Sequence, residues 1–126
     1  IKLARALQRE EICVFRFDFE GCGDSEGEPS EITLKNEVTD LNSAFKAVQK
    51  EVDLDLTRVA LVAASLGSVV ASLFLKQYKT SAKTLVFWSQ AFNQRELLKN
   101  WYSQDDKKEI ISKGVIYKGE KEIGRD

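Results

Sequence analysis

Apolar residues over the first 91 positions follow two different periods, one typical of strands and one typical of helices. Segments rich in β-branched and aromatic residues are predicted to be buried strands: 12–19, 58–64 and 83–88. Segments in which apolar residues recur every three or four positions are predicted to be helices: 1–9, 34–52 and 66–78. Strands that alternate with helices in this way imply right-handed crossovers and a parallel sheet with helices on both faces. The fold class is therefore predicted to be α/β.

The chain changes character after residue 91. Charged side chains become frequent over residues 99–126. Asn93 and Glu96 have the spacing of a capping box that begins a helix. Two short segments near the end of the chain are predicted to form a hairpin: 115–118 and 122–123. We therefore divide the chain into a core of one helix, three parallel strands and two crossover helices over 1–91, and an appended segment over 92–126.

Composition restricts the function classes open to the chain. The 126 residues carry a net charge of −1 without a cluster of Lys and Arg, so binding to nucleic acid or to an anionic membrane is not expected. No apolar stretch approaches the ~20 residues that span a bilayer, and no export signal opens the sequence, so we expect a soluble, cytoplasmic protein. Cys13 and Cys22 are expected to be free thiols, and neither a metal ion nor a cofactor is expected.

Two glycine-rich motifs between residues 20 and 30 have the spacing of functional signatures, but their context argues against both. Ser25 lies in Gly-Asp-Ser-Glu-Gly, the spacing of a serine nucleophile, yet no strand passes directly into a helix at this serine. A dinucleotide-binding loop would need its third glycine at position 26, where Glu26 stands instead. The neighbouring carboxylates would also repel a pyrophosphate. We interpret this loop as a structural turn.

Ser65 lies in Ala-Ala-Ser-Leu-Gly, between a predicted strand and a predicted helix with almost no loop. Small residues at Ala63 and Gly67 suit the tight turn that this arrangement needs. Such a turn raises the serine hydroxyl above the carboxyl edge of the sheet, where ligands bind in open α/β folds. It also directs the backbone N–H of Leu66 towards a developing oxyanion. An N-cap serine at an α/β crossover explains the pattern equally well, so both interpretations remain open.

A serine nucleophile needs a base, and the sequence contains no histidine, the commonest general base near neutral pH. A lysine does not replace it in an obvious way. Position 68 is Ser68, and Lys76 lies about three helical turns beyond Ser65. Any base for this serine therefore has to come from elsewhere.

Three segments taken together resemble the α/β-hydrolase superfamily, and within it the esterase, monoacylglycerol-lipase and serine-aminopeptidase-like branch: 16–27, 61–67 and 85–89. The first matches the family pattern D-x-x-G-H-G-x-S at four positions: Asp18, Gly21, Gly23 and Ser25. Cys22 stands at the usual histidine of that pattern. The nucleophile pattern G-H-S-x-G is matched at Ser65 and Gly67, whereas Ala63 and Ala64 depart from it.

The resemblance implies a partial α/β-hydrolase fold in which 92–126 begins a helical cap. It implies a serine hydrolase acting on carboxylic esters or related acyl substrates, with Ser65 as nucleophile and the Leu66 N–H as oxyanion donor. The triad histidine and its acidic partner would lie outside the 126 residues, so this segment alone would be inactive. Three aromatic residues would contact the acyl group: Phe92, Trp101 and Tyr102.

In the family's sheet order, a further strand separates the strands predicted at 12–19 and 58–64. That strand would lie outside the sequence, so we expect the two either to pair directly or to borrow a strand from another chain through self-association. Two alternatives to an enzyme stay open. One is a non-catalytic binding or assembly domain of hydrolase ancestry, in which Ala63 and Ala64 mark the divergence, and the other is a nucleotide-binding α/β domain.

Overall fold

The computed structural model describes residues 2–51, 53–80, 82–93, 96, 99–100, 102–113, 115–118 and 121–124, and at 110–111, 113, 115–118 and 121–124 it describes the backbone alone. The helices are α1 (Lys2–Arg9), α2 (Leu34–Val48), α3 (Gly67–Gln77) and α4 (Gln104–Lys113). The strands are β1 (Val59–Ser65), β2 (Ala82–Gln90), β3 (Val115–Lys118) and β4 (Lys121–Gly124). Short 3-10 turns cover Pro29–Glu31 and Leu56–Arg58.

β1 and β2 form a parallel pair, and α3 is the crossover between them. Leu61 lies opposite Leu85, and Ala63 lies opposite Phe87. Parallel strands joined by a helix are the unit of an α/β fold, so the predicted fold class is confirmed in this partial form. The predicted hairpin is also present, because β3 and β4 pair in antiparallel register.

The core lies where α2 and α3 pack together on one face of the parallel pair. Its buried members are Val38, Phe45, Val70 and Phe74. The rings of Phe45 and Phe74 lie 5.5 Å apart between centroids, within the range of favourable aromatic pairs. Side chains from the sheet, among them Val59 and Leu61, pack against this cluster. The face of the sheet that carries Val62, Val86 and Trp88 is exposed, so the expected cover of helices on both faces is not seen among the described residues.

α2 begins where the sequence predicts. The Thr33 side chain accepts a hydrogen bond of 3.1 Å from the backbone N–H of Asn36, which satisfies one of the otherwise unpaired N–H groups of the first turn. The helix ends at Val48, four residues earlier than the apolar period suggests. The cap depends on adjacent side chains, whereas the apolar period alone does not mark where the helix ends.

The predicted strand at 12–19 is not a strand in this structure. These residues lie outside every ladder of the described chain, and the backbone of 13–17 makes no hydrogen bond to another described residue. Most of their apolar side chains are exposed, including Ile12 and Phe15, and only Phe19 packs against the core. A strand is stable only beside another strand, and direct pairing with β1 does not occur. The expectation of three parallel strands is therefore wrong for the described chain, which has a parallel pair.

Cys13 and Cys22 are free thiols, as predicted. In the part of the chain that the structure describes, no helix combines the length and the hydropathy that crossing a membrane requires. Cα atoms of β4 come within 8 Å of those of the Pro29–Glu31 turn.

Candidate active site

The turn between β1 and α3, residues 63–67, is sharp, and we refer to it below as the elbow. β1 ends at Ser65 and α3 begins at Gly67, so Leu66 alone separates strand from helix. Ser65 has φ of 49°, in the left-handed region that residues other than glycine rarely adopt. The strand register also shifts between Ala64 and Ser65. A strained, exposed serine on a sharp strand-to-helix turn is the arrangement that raises a hydroxyl at the edge of a sheet.

The other interpretation, in which Ser65 caps α3, does not describe this structure. The residue at the N-cap position is Leu66, and no side chain caps the helix. Among the described residues, the Ser65 hydroxyl has no hydrogen-bond partner, and the backbone N–H of Leu66 has none either. An unpaired N–H at a helix N-terminus, next to an unpaired hydroxyl, is a ready site for a negatively charged oxygen.

Two hydrogen bonds fix the elbow, and sequence reasoning found neither. The Ser68 hydroxyl, on a residue that is 0% exposed, donates to the carbonyl oxygen of Ala63 over 3.3 Å. The backbone N–H of Ala91 donates to the carbonyl oxygen of Ser65, also over 3.3 Å. The first bond joins β1 to α3 beneath the turn, and the second joins the turn to the segment that follows β2. A small polar residue three positions after a candidate nucleophile was the available signal for the first bond.

Gly67 does not behave as the sequence suggests. A small residue was expected there because of the tight turn, but a Cβ added to Gly67 would meet no heavy atom within 4 Å. Its φ is also outside the left-handed region. No described element lies close enough to crowd this position, so sterics do not require glycine in this structure. Ala63, by contrast, is buried as a small residue should be.

The glycine-rich loop is a structural turn, as predicted. The Ser25 hydroxyl donates to the carbonyl oxygen of Asp18 over 2.6 Å, so it is engaged in holding the loop. The Asp18 carboxylate accepts the backbone N–H of Asp24, and a Cβ on Gly23 would collide with that carboxylate. The backbone N–H of Glu20 donates to the Asp40 carboxylate over 3.0 Å, which attaches the loop to α2.

Three residues after β2 are predicted to contact the substrate: Phe92, Trp101 and Tyr102. Phe92 follows β2, is 52% exposed, and lies edge-on to Phe87 with 5.2 Å between ring centroids. Tyr102 is half-buried in the appended segment. Trp101 lies outside the described residues. The predicted Asn93–Glu96 capping pair is present, because Asn93 accepts the Glu96 N–H over 3.3 Å and donates to its carboxylate over 2.6 Å.

Acidic side chains are absent from the stretch of sequence that contains the elbow. The stretch 58–93, which contains β1, α3, β2 and the segment after it, has no Asp or Glu.

On α2, burial raises the pKa of the Glu37 carboxyl, and the charge of Asp40 raises it further. Hydrogen bonds from Thr57, its side chain first, lower the pKa of Asp55. Within the described residues, no three acidic or thiol side chains are grouped so as to hold a metal ion.

Comparison with known proteins agrees with this geometry. The family profile described as "Serine aminopeptidase, S33" matches residues 1–111, which is most of the chain. The match spans the glycine-rich loop, the elbow and both parallel strands. No curated protein matches the chain. The chain belongs to the serine aminopeptidase S33 family of the α/β-hydrolase superfamily and is a hydrolase of the α/β type.

Proposed function

We infer that the protein is a serine hydrolase that acts on carboxylic esters or closely related acyl compounds, with Ser65 as its nucleophile. The observation that carries this proposal is the left-handed backbone of Ser65 between β1 and α3. A strained conformation of this kind persists only where the surrounding structure holds it, and it is concentrated at functional sites. The exposed hydroxyl and the free Leu66 N–H beside it supply the two groups that acyl transfer needs first.

The proposed reaction uses these groups in order. The Ser65 Oγ bonds to the acyl carbonyl carbon while its proton passes to a general base, and the carbonyl oxygen becomes an oxyanion that accepts the Leu66 N–H. Loss of one such donor typically costs about 2.7–4 kcal/mol of transition-state stabilisation. The base then protonates the leaving alkoxide, which departs as an alcohol, and water hydrolyses the acyl-serine to a carboxylic acid.

The base and its acidic partner are proposed to lie outside the 126 residues, because the sequence contains no histidine. The chain by itself would therefore be close to inactive, since an unassisted serine hydroxyl is a weak nucleophile at neutral pH. We also propose that 92–126 begins a cap over the site, with Phe92, Trp101 and Tyr102 as contacts for the acyl group, in a cytoplasmic enzyme that uses no cofactor.

A non-catalytic domain of hydrolase ancestry is the second candidate. The observation in its favour is that Ala63 and Ala64 replace the usual glycine and histidine of the nucleophile pattern, in a chain without any histidine. Such a domain would keep the backbone of the elbow for structural reasons only. The two candidates differ in the reactivity of one hydroxyl, so they are separable by a direct chemical probe.

The test is fluorophosphonate labelling of the full-length protein that contains this chain, with the modified residue located by mass spectrometry. We expect an adduct on Ser65 that is lost in Ser65→Ala. The matched control is Ser25→Ala, which removes the serine of the other Gly-x-Ser-x-Gly motif and should label normally, because that hydroxyl is held by the Asp18 carbonyl oxygen. A folded protein that takes no label on Ser65 would establish the non-catalytic candidate instead.

A further inference from the structure

The segment that follows β2 is attached directly to the proposed nucleophile. Gln90 lies opposite Ser65 in the strand register, and the next residue, Ala91, donates its backbone N–H to the Ser65 carbonyl oxygen over 3.3 Å. Ala91 is buried, whereas Ser65 is exposed. Ser89 has φ of 52° and turns the chain just before the contact. Phe92, one residue further on, is therefore held close to the elbow by the backbone itself.

The ring of Phe92 is held by a second contact. It lies nearly perpendicular to the ring of Phe87, at an interplanar angle of 89° and with 5.2 Å between centroids. This edge-to-face arrangement is the favourable one for two aromatic rings. Phe87 lies opposite Ala63, two residues before Ser65. One half of the Phe92 surface stays exposed although the ring is fixed, so it presents a rigid apolar wall next to the elbow.

The stretch of sequence that carries this wall has no acidic side chain. Leu66, between Ser65 and α3, is also exposed to a large extent. No Asp or Glu occurs from Arg58 to Asn93, and the first carboxylate after that stretch, Glu96, is engaged by the Asn93 side-chain amide. A substrate with an α-ammonium group beside its scissile carbonyl would find no carboxylate in this stretch to offset the cost of burying that charge. A neutral alkyl chain would gain contact with Phe92 and Leu66 instead.

We propose that Phe92, positioned by Phe87, forms the acyl side of the Ser65 site and selects uncharged substrates with an extended apolar acyl chain over substrates that carry an α-ammonium group. The proposal rests on the proposed function, because it assigns a substrate class to the same serine. Phe92 is the contact with the substrate, and Phe87 is a positioning residue.

The experiment measures kcat/KM of the full-length protein for p-nitrophenyl acetate, butyrate and octanoate, and for leucine p-nitroanilide as the α-ammonium substrate. We expect the octanoate to be preferred over the acetate and the anilide to be the poorest substrate. In Phe92→Ala the octanoate-to-acetate ratio should fall by about tenfold, since the loss of a large apolar contact falls on the long chain. Phe92→Leu, which keeps an apolar side chain, should retain most of the preference.

Two further variants separate a specific role from general damage. Phe87→Leu should lower the octanoate-to-acetate ratio by about threefold, because it removes the edge-to-face contact that holds the Phe92 ring. Phe15→Ala is the matched control. It also removes an exposed ring that is stacked on a neighbouring phenylalanine, Phe17, but this pair of rings lies beside α2. The octanoate-to-acetate ratio of Phe15→Ala should equal that of the wild type.

Different results overturn the role of Phe92, the substrate class and the proposed function. A protein labelled on Ser65 by fluorophosphonate whose chain-length preference is unchanged in both Phe92→Ala and Phe87→Leu overturns the role of Phe92 alone. Faster turnover of the anilide than of the octanoate overturns the substrate class. Absence of the Ser65 label overturns the proposed function. If Phe92→Ala does not fold, as judged by circular dichroism, Phe87→Leu decides the question, and an unchanged chain-length preference in that variant overturns the role of Phe92.

Discussion

The hydroxyl of Ser68 donates to the carbonyl oxygen of Ala63 from the interior of the turn that carries Ser65. Both residues are buried, and the bond joins the end of β1 to the first turn of α3. The elbow therefore does not depend on backbone conformation alone. A side chain on the helix holds the strand that leads into it.

Removal of the Ser68 hydroxyl should lower the stability of the folded chain. We expect Ser68→Ala to lower the free energy of unfolding by about 1 kcal/mol, because a buried hydrogen bond contributes on that order. The matched control is Ser72→Ala. The Ser72 hydroxyl donates to the Ser68 carbonyl oxygen one turn back in the same helix, a local bond whose loss is offset by the helix propensity of alanine. Urea unfolding followed by circular dichroism should show a lower midpoint for the first variant only, and equal midpoints would contradict the assignment.

Glu37 should make stability depend on pH. Its carboxyl is buried on α2, Oε2 has no hydrogen-bond partner among the described residues, and burial followed by the charge of Asp40 raises its pKa. An acid whose pKa is higher in the folded state than in the unfolded state binds more protons when folded, so stability falls as pH rises from the unfolded pKa through the folded one. Above that window the ionised carboxylate carries its full desolvation cost.

Glu37→Gln tests this directly, because the amide keeps the shape and cannot ionise. We expect the variant to be more stable than the wild type at pH 7, with the difference shrinking as pH is lowered towards 4. Glu31→Gln is the control, since Glu31 is exposed just before α2. The measurement is the free energy of unfolding in urea between pH 4 and pH 8. Parallel profiles for Glu37→Gln and the wild type would refute the prediction.

Two glycines should respond in opposite ways to the same substitution. Gly67→Ala should leave stability unchanged or raise it by up to about 1 kcal/mol, because there is open space for the Cβ and alanine is the better helix former. Gly23→Ala should lower stability by more than that, since Gly23 has φ of 56° and its Cβ would collide with the Asp18 carboxylate. Thermal unfolding of the two variants side by side provides the comparison, and a destabilised Gly67→Ala would contradict the open space.

The 126-residue chain is predicted to associate as its concentration rises. The backbone of 13–17 lacks partners among the described residues, and β1 offers an open edge in a strand without any charged side chain. Natural sheet edges are usually protected by charge, proline or short length.

Val14→Lys should keep the chain monomeric, whereas Leu3→Lys, an equally drastic change at an exposed position of α1, should not. Light scattering after size exclusion, with reductant present to exclude linkage through Cys13, measures this. A wild type that stays monomeric at all concentrations would refute strand sharing.

The parts of the fold that the sequence predicts well are those determined by neighbouring residues. The Thr33 cap, the crossover helix α3 and the strand ending at Ser65 each depend on a few adjacent side chains. The elbow was predictable for the same reason, because a strand, a serine and a helix follow one another without a loop.

The segment 12–19 shows what such patterns leave undetermined. Its composition is that of a strand, but a strand also needs a neighbour with free backbone groups, and no described segment supplies one. The contact between Ala91 and Ser65 was missed for a related reason. It depends on the register between β1 and the end of β2, which no local pattern encodes. Gly67 was expected to be sterically required, and the structure shows open space there.

The left-handed backbone of Ser65 has a consequence for how this sequence can change over time. Glycine adopts that conformation without strain, so Ser65→Gly would relieve a cost on the order of 1–3 kcal/mol while removing the proposed nucleophile. Selection for stability alone would therefore favour loss of the serine at this position. Serine at this position therefore carries a conformational penalty that glycine would avoid, and the hydroxyl that the proposed reaction needs is the group that glycine could not supply.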